Sequence, residues 1–387
     1  MAVLTLNAGS SSLKFALFEG GRARLRGEFE DITEVPKASA KDADGHEMDP
    51  PRAEGTGHEA VLPALLDWVA SHGTVEAAGH RIVHGGDRFD GPALVDDAVL
   101  AAMEDLVEYA PLHQGHNIAA IRAVSAARPE LPQVACFDTA FHRSMPDVAR
   151  RLPLPDRLGL RRYGFHGLSY EFIAGSLPPR LAAGRVVAAH LGSGASLCAL
   201  RAGVSIETTM STTPLDGLVM STRCGTLDPG VVLLLLRRGM AADAVEHLLY
   251  HEAGLLGVSG VSGDMRELHT AGAKAAVELF CYRVAQEAAS MAAALGGLDG
   301  FVFTGGIGEH DAVVRAMVAD RLGWLGVAIA PGAEQGRLSP PNARVETWVI
   351  PTDEEAVIAR QTFSVLVRGS SSCPPPGAGG TSSPPPR

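Results

Sequence analysis

The sequence predicts an α/β protein in which one structural plan is used twice. Short apolar strands alternate with helical patterns along the chain, and a strand-turn-strand unit at the start of the chain returns near residue 186. Hydrophobic residues make up 46% of the 387 positions and charged residues 20%, which is enough apolar side chain for two domains without disulfide staples.

The first unit reads as a strand over residues 3–6, a tight polar turn over 7–12 and a second strand over 13–18. Its counterpart has a strand at 186–191, a turn at 192–196 and a strand at 197–200, with Ser12-Leu13 aligning on Ser196-Leu197. Between the two units lie helical patterns at 97–109 and 117–127 and an apolar strand at 133–137. In the second half, residues 271–295 read as one long Ala-rich helix, followed by a strand at 300–303 and a glycine turn at 304–309 that opens a helix. Residues 33–57, rich in Lys, Asp, Gly and Pro, read as a surface loop, and 369–387 as a disordered Pro/Ser/Gly tail.

Composition excludes several classes of function. A formal net charge of −11 argues against nucleic acid or another polyanion as partner. Five scattered cysteines without a CxxC pair argue against a disulfide scaffold or a cysteine-rich zinc site and for a reducing, cytoplasmic setting. The N-terminus lacks a basic leader, and the longest later aliphatic run, 231–236, is six residues, so neither a signal peptide nor a membrane span is expected.

The turns suggest phosphate chemistry. Gly9, Ser10, Ser11, Ser12 and Lys14 combine backbone N–H groups, hydroxyls and a cation, and the turns at 192–196 and 305–309 offer further N–H groups. None of the four lysines follows a glycine, so there is no Walker A loop; a GxGxxG loop and a His-Arg-Asp triplet are also missing. His80 and His84, four apart on a strand, would stand about 13 Å apart, too far to share one ion. Arg81 is therefore the functional candidate and the histidines are local hydrogen-bonding groups. His247 and His251 are expected on one helix face. Asp138 directly follows an apolar strand, where α/β proteins place ligand-binding groups. Residues 161–167 set cations and His166 between glycines, and Arg223 stands in Ser-Thr-Arg-Cys-Gly.

Asn7-x-Gly-Ser-Ser-Ser-x-Lys14, His80-Arg-Ile-Val-His-Gly-Gly86, Phe137-Asp-Thr-Ala-Phe-His142, Tyr163-Gly-Phe-His-Gly167, His190-Leu-Gly-Ser-Gly194, Thr222-Arg223, Thr304-Gly-Gly-Ile-Gly-Glu309 and Asp353-Glu-Glu355 run in that order through the chain. Together they resemble the acetate kinase family. The resemblance implies the duplicated actin-like fold of the acetate and sugar kinase, chaperone and actin superfamily, with two domains around a central cleft. One domain would comprise 1–140 plus about 355–368, and the other, carrying the nucleotide site, 141–354. It also implies reversible transfer of the ATP γ-phosphoryl group to acetate, with Mg²⁺ or Mn²⁺, in a homodimer that has no membrane or nucleic-acid partner.

By the same resemblance Arg81 and Arg223 hold the acetate and the transferring group, and His166 donates to the equatorial oxygens. Asp138 and Glu354 position the metal, with Asn7 beside them. Asn7, Ser10, Ser12, Lys14, His190, Gly192, Ser193 and Gly194 line the phosphate path. Gly305, Gly306, Ile307 and Gly308 underlie the adenosine, and Val83, Leu112, Phe165 and Pro214 enclose the acetate methyl. A carboxylate of pKa near ~4.3 is ionised at pH 7, so such a nucleophile needs relief from anion repulsion rather than a base. Asp138, as a metal-orienting group, is expected to be dispensable to the core. Departures from the family pattern include Ser193 for Asn, Tyr170 for His, Gln114-Gly115 for Asn-Pro, Ser211-Thr212 for Gly-Phe, and Ser221 and Thr226 for Gly and Asp. The alternatives are a propionate or other short-chain acyl kinase and, from another class, an actin- or chaperone-like ATP-binding protein.

Overall fold

The computed structural model describes residues 1–9 and 11–371. Seven strands form the first sheet: β1 (Ala2–Ala8), β2 (Leu13–Glu19), β3 (Arg22–Glu30), β4 (Lys37–Asp42), β5 (Ala77–Ile82), β6 (Ala93–Leu94) and β7 (Gln133–Phe137), in the order β4-β3-β2-β1-β5-β7-β6. Six form the second: β8 (Arg185–Leu191), β9 (Ala195–Arg201), β10 (Val204–Thr208), β11 (Gly300–Thr304), β12 (Gly336–Arg337) and β13 (Glu346–Val349), in the order β10-β9-β8-β11-β13-β12.

The duplication is visible in the pairing. Each sheet begins with an antiparallel three-strand meander whose first strand, β1 or β8, is joined on its other edge by parallel strands, β5 and β7 or β11 and β13. The hairpin ends pair Ala8 with Leu13 and Leu191 with Ala195, so the second turn is one residue shorter and no single offset aligns both strands.

The central strands are buried on both faces, which is why they read as nearly continuous apolar runs. Leu4, Leu6, Phe15 and Leu17 pack under the helix His58–His72, whose Leu62, Leu65 and Val69 face them. The helix Glu354–Ser371 covers the opposite face, seating Val357 and Ile358 against Val134 and Cys136. Gly79 of β5 permits that approach: a Cβ there would run into the Thr362 hydroxyl and come within 2.7 Å of Ile358 Cγ2. In the second half Val187, Leu197, Phe301 and Phe303 meet the helix Lys274–Leu295.

Several local expectations are corrected. The stretch 33–57 contains β4, which pairs with β3 through backbone groups and so leaves no apolar signature. The helix expected at 97–109 stops at Glu104, and the next begins at Pro111, earlier than 117, because proline suits a first helical turn. The long helix expected at 271–295 runs unbroken over Lys274–Leu295; Ala271 is the last residue of the preceding helix Met265–Ala271, which ends at Gly272 with φ 67°. The C-terminal helix runs on through Ser371, because Gly and Ser are tolerated in a last turn, so residues 369–371 of the expected tail are helical; residues 372–387, Cys373 among them, lie outside the described residues. β5 ends at Ile82, which leaves His84 beyond the strand. His80 bonds Gln133 at 2.8 Å, and His84 Nδ1 accepts from Gly86 N–H, both as local hydrogen-bonding groups. The His247 and His251 rings lie 4.9 Å apart. No helix among the described residues is long and apolar enough to cross a membrane.

Candidate active site

Both hairpin turns and the start of the helix Gly305–His310 open onto one cavity of about 680 Å³. Asn7, Ser12, Lys14, Arg81, His166, His190, Gly192, Ser193, Gly194, Arg223, Gly305, Gly306 and Glu354 line it, so most of the predicted set converges from both halves of the chain. A neighbouring cavity of about 740 Å³ shares Gly192, Ser193 and Gly306 and holds Ile307.

Five of the expected residues, Gly308, Asp138, Val83, Phe165 and Pro214, line neither cavity. Gly308 is buried with its carbonyl accepting from Arg315 and lines neither cavity, because the expected turn is already helical. Asp138 is fully buried below the cleft surface, paired to Arg81, and so is part of the core rather than dispensable to it. Ser10 and the Leu112 side chain lie outside the described residues. Val83 and Phe165 share one buried apolar cluster, and the Pro214 carbonyl accepts from Arg223 Nη1 at 2.8 Å.

Hydrogen bonds link the acidic side of the site. Arg81 donates to Asp138 Oδ2 from Nε at 2.9 Å and Nη2 at 2.6 Å, and to Asn7 Oδ1 from Nη1 at 3.1 Å. Asn7 Nδ2 donates on to Glu354 Oε2 at 3.2 Å. Asp138 Oδ1 is buried without a partner. Burial works against the Arg81 charge, but Asp138 and Glu354 outweigh it and hold its pKa above the usual value. Glu354 is pushed up by burial and by Asp138, with Arg81 and Lys14 opposing.

His166 precedes the helix Gly167–Ser176 in the left-handed region, at φ 58°, and its neighbour must be glycine because a Cβ on residue 167 would strike the Asp138 carbonyl. Its Nδ1 meets Ser196 Oγ at 2.9 Å, Tyr170 Oη meets the same oxygen at 2.6 Å, and the ring stacks on His190 at 4.3 Å. Burial first, then His190, Arg81 and Arg223, drives its pKa well below the usual histidine value. Arg223 is lowered to about 10 by burial and by Arg81. Gly194 leaves room for this group, since a Cβ there would lie 2.8 Å from Arg223 Nη2 and 3.3 Å from His166 Nε2.

Sequence reasoning missed His113, Glu309, Thr352 and Glu355 in the cleft and Asp264, Arg266, His269 and Asp311 in the neighbouring cavity. Glu309 Oε1 ties the third turn together by accepting from Gly305 N–H and Thr352 N–H. Asp264 and Asp311 look like helix caps, which they also are, so their sequence signal points to local structure.

A cleft between two copies of one sheet plan, floored by a glycine turn from each and lined by cations from both halves, defines a phosphotransferase of the actin-like superfamily. The model of the Acetokinase family matches residues 2–360, and the chain belongs to that family. The acetate kinase of Rhodopseudomonas palustris is 49% identical, with 93% of this chain and 97% of that protein covered. Among solved structures, a propionate kinase from Francisella tularensis superposes with a TM-score of 0.87 at 35% identity, covering 94% of this chain and 99% of its own. Porphyromonas gingivalis acetate kinase does so with 0.81 at 32% identity over the same shares.

Burial also makes stability depend on pH. His80, His84, His142 and His190 are lowered to about 4 and His113 to about 3, in each case chiefly by burial. The unfolded chain takes up protons at these positions below about pH 6.5 and the folded chain only near pH 4, so stability falls as pH drops through that window. A loss of at least about 3 kcal/mol is expected between pH 7.5 and 4.5. A Tm that stays flat from pH 7.5 to 5 would show that these imidazoles are not held neutral.

Proposed function

We propose that this cleft catalyses the reversible, ATP-dependent phosphorylation of acetate to acetyl phosphate by direct in-line transfer. The observation that carries it is the meeting of Arg81, Arg223 and a neutral His166 over the Gly194 turn, between two glycine-floored phosphate paths. An acetate carboxylate lying between the two guanidiniums is brought toward the γ-phosphoryl group without anion repulsion. Asn7, Ser12, Lys14 and the turns at 192–194 and 305–306 receive the phosphates. A relay in which Tyr170 donates to Ser196 and Ser196 to His166 Nδ1 places the imidazole proton on Nε2, which donates to the equatorial oxygens.

The acidic side fits a divalent cation. Asp138 Oδ1 lacks a partner in a buried site, and Glu354 is a carboxylate whose charge burial disfavours. Together with the Asn7 side chain they form an oxygen-rich donor set suited to Mg²⁺ or Mn²⁺. Bound there, the ion would neutralise charge on the β- and γ-phosphates. The domain division proposed is 1–140 plus 355–368 against 141–354, in a cytoplasmic homodimer. Exposed Leu233, Leu234, Leu236 and Met240, on and after the helix Pro229–Arg237, supply an apolar face for the second copy.

An acyl hydroxamate assay with ATP, Mg²⁺ and acetate, propionate or butyrate tests the assignment: acetate should give the highest kcat/KM, and ATP consumption without any carboxylate would refute it. Propionate is the second reading, favoured by the likeness to a solved propionate kinase. Val83 and Phe165 decide between the two through the volume they leave. Val83→Ala should raise the propionate-to-acetate ratio of kcat/KM by about tenfold, since one methylene is worth roughly 1–3 kcal/mol. An unchanged ratio would remove Val83 from the acyl pocket.

A further inference from the structure

Residues 143–162 hold six arginines and two carboxylates in a chain whose net charge is −11. Three of the arginines converge on Asp87. Arg143 Nη1 and Arg150 Nη2 reach Oδ1, the latter at 2.9 Å, and Arg161 Nε reaches Oδ2 at 3.1 Å. One carboxylate thus faces three guanidiniums, an excess of two positive charges.

Beside this knot lies a recess of about 270 Å³ lined by Arg150, Arg151 and Arg161 with Asp147 and Asp156, and it shares no residue with the catalytic cleft. Arg151 and Arg161 are directly opposite one another in an antiparallel bridge, which puts both side chains on one face. Like charges so placed are destabilising unless an anion comes between them. Among the described residues Arg151 forms no ion pair.

We propose that this recess binds a small phosphate-bearing anion and that its occupancy loosens the loop carrying Val83. A phosphate group brings negative charge to a place where Arg143, Arg150, Arg151 and Arg161 outnumber Asp87, Asp147 and Asp156 by one, and its oxygens accept from planar guanidinium forks at two or three points. Leu152 and Leu160 in the wall give an organic portion apolar surface to rest on. Asp87 follows Val83-His84-Gly85-Gly86 directly, and Tyr163, whose hydroxyl is 3.5 Å from Asp87 Oδ2, packs edge-on against His84 at 4.7 Å. An anion that draws Arg150 and Arg161 from Asp87 therefore frees the loop on which Val83 stands. The binding does not depend on the acetate reading; the effect on acetate rests on it.

The test is calorimetric titration of the full chain, saturated with AMP-PNP so that the cleft is filled, with inorganic pyrophosphate in one arm and phosphoenolpyruvate in the other. One further site per chain is expected. Pyrophosphate binding alone would mark an inorganic ligand, tighter phosphoenolpyruvate an organic one, and either supports the site. Arg151→Glu should weaken binding at least roughly tenfold and Arg151→Gln by less, with basal kcat unchanged and Tm no lower, since both substitutions relieve the repulsion with Arg161. Absence of binding, or equal affinity in Arg151→Glu, would overturn the site. With the probe bound, the KM for acetate should rise about threefold or more at constant kcat; an unmoved KM would overturn the coupling and leave the binding result standing.

Discussion

Asp138→Asn is expected to lower kcat by roughly a thousandfold or more and to destabilise the fold by about 3 kcal/mol. Oδ2 fixes Arg81 through Nε and Nη2, and Oδ1 is buried without a partner, the oxygen that the proposed reading leaves to a cation. An amide keeps the shape but removes the charge that balances a buried guanidinium, so Arg81 and Asn7 lose their common anchor. The stability cost distinguishes this account from a role in metal orientation alone, which would leave Tm unchanged. Calorimetry and hydroxamate kinetics over a range of Mg²⁺ decide it: near-normal turnover at any Mg²⁺ concentration would remove Asp138 from the catalytic set.

Arg223→Ala and His166→Ala are each expected to lower kcat by about 10²–10³ while the KM for ATP changes little. Both groups meet beside Gly194, and both are held there at a cost. Arg223 is a buried cation near a second cation, and His166 sits in a left-handed backbone conformation. Such an arrangement is kept when it stabilises the transferring group rather than the bound nucleotide. For His166 the pH dependence adds a check. Its pKa lies well below the usual value, so kcat should show no limb from this imidazole between pH 6 and 8. If the substitutions raised only the KM for ATP, both residues would be nucleotide-binding groups.

Much of the fold was legible because its signals are local. The apolar runs of β1, β2, β8, β9 and β11 and the glycine turns between them are written in consecutive residues, and the motifs around Arg81, His166 and Arg223 could be read in the same way. β4 was not legible, since Lys37–Asp42 is polar and becomes a strand only because β3 offers it an edge. Nor was the separate helix Met265–Ala271, which a left-handed Gly272 ends just before the long helix begins.

The sequence by itself determined the α/β class, the repeated hairpin and the identity of the cations, because side-chain type and turn chemistry need no distant partner. Tertiary structure alone decided that Asp138 lies beneath Arg81, that Glu354 reaches Asn7 from the far end of the chain, and that His113 and Glu355 join the cleft. It also decided the charge states. Burial beside His190, Arg81 and Arg223 disfavours the charged form of His166, and desolvation and Coulomb forces depend on distances between residues that no local stretch of sequence encodes.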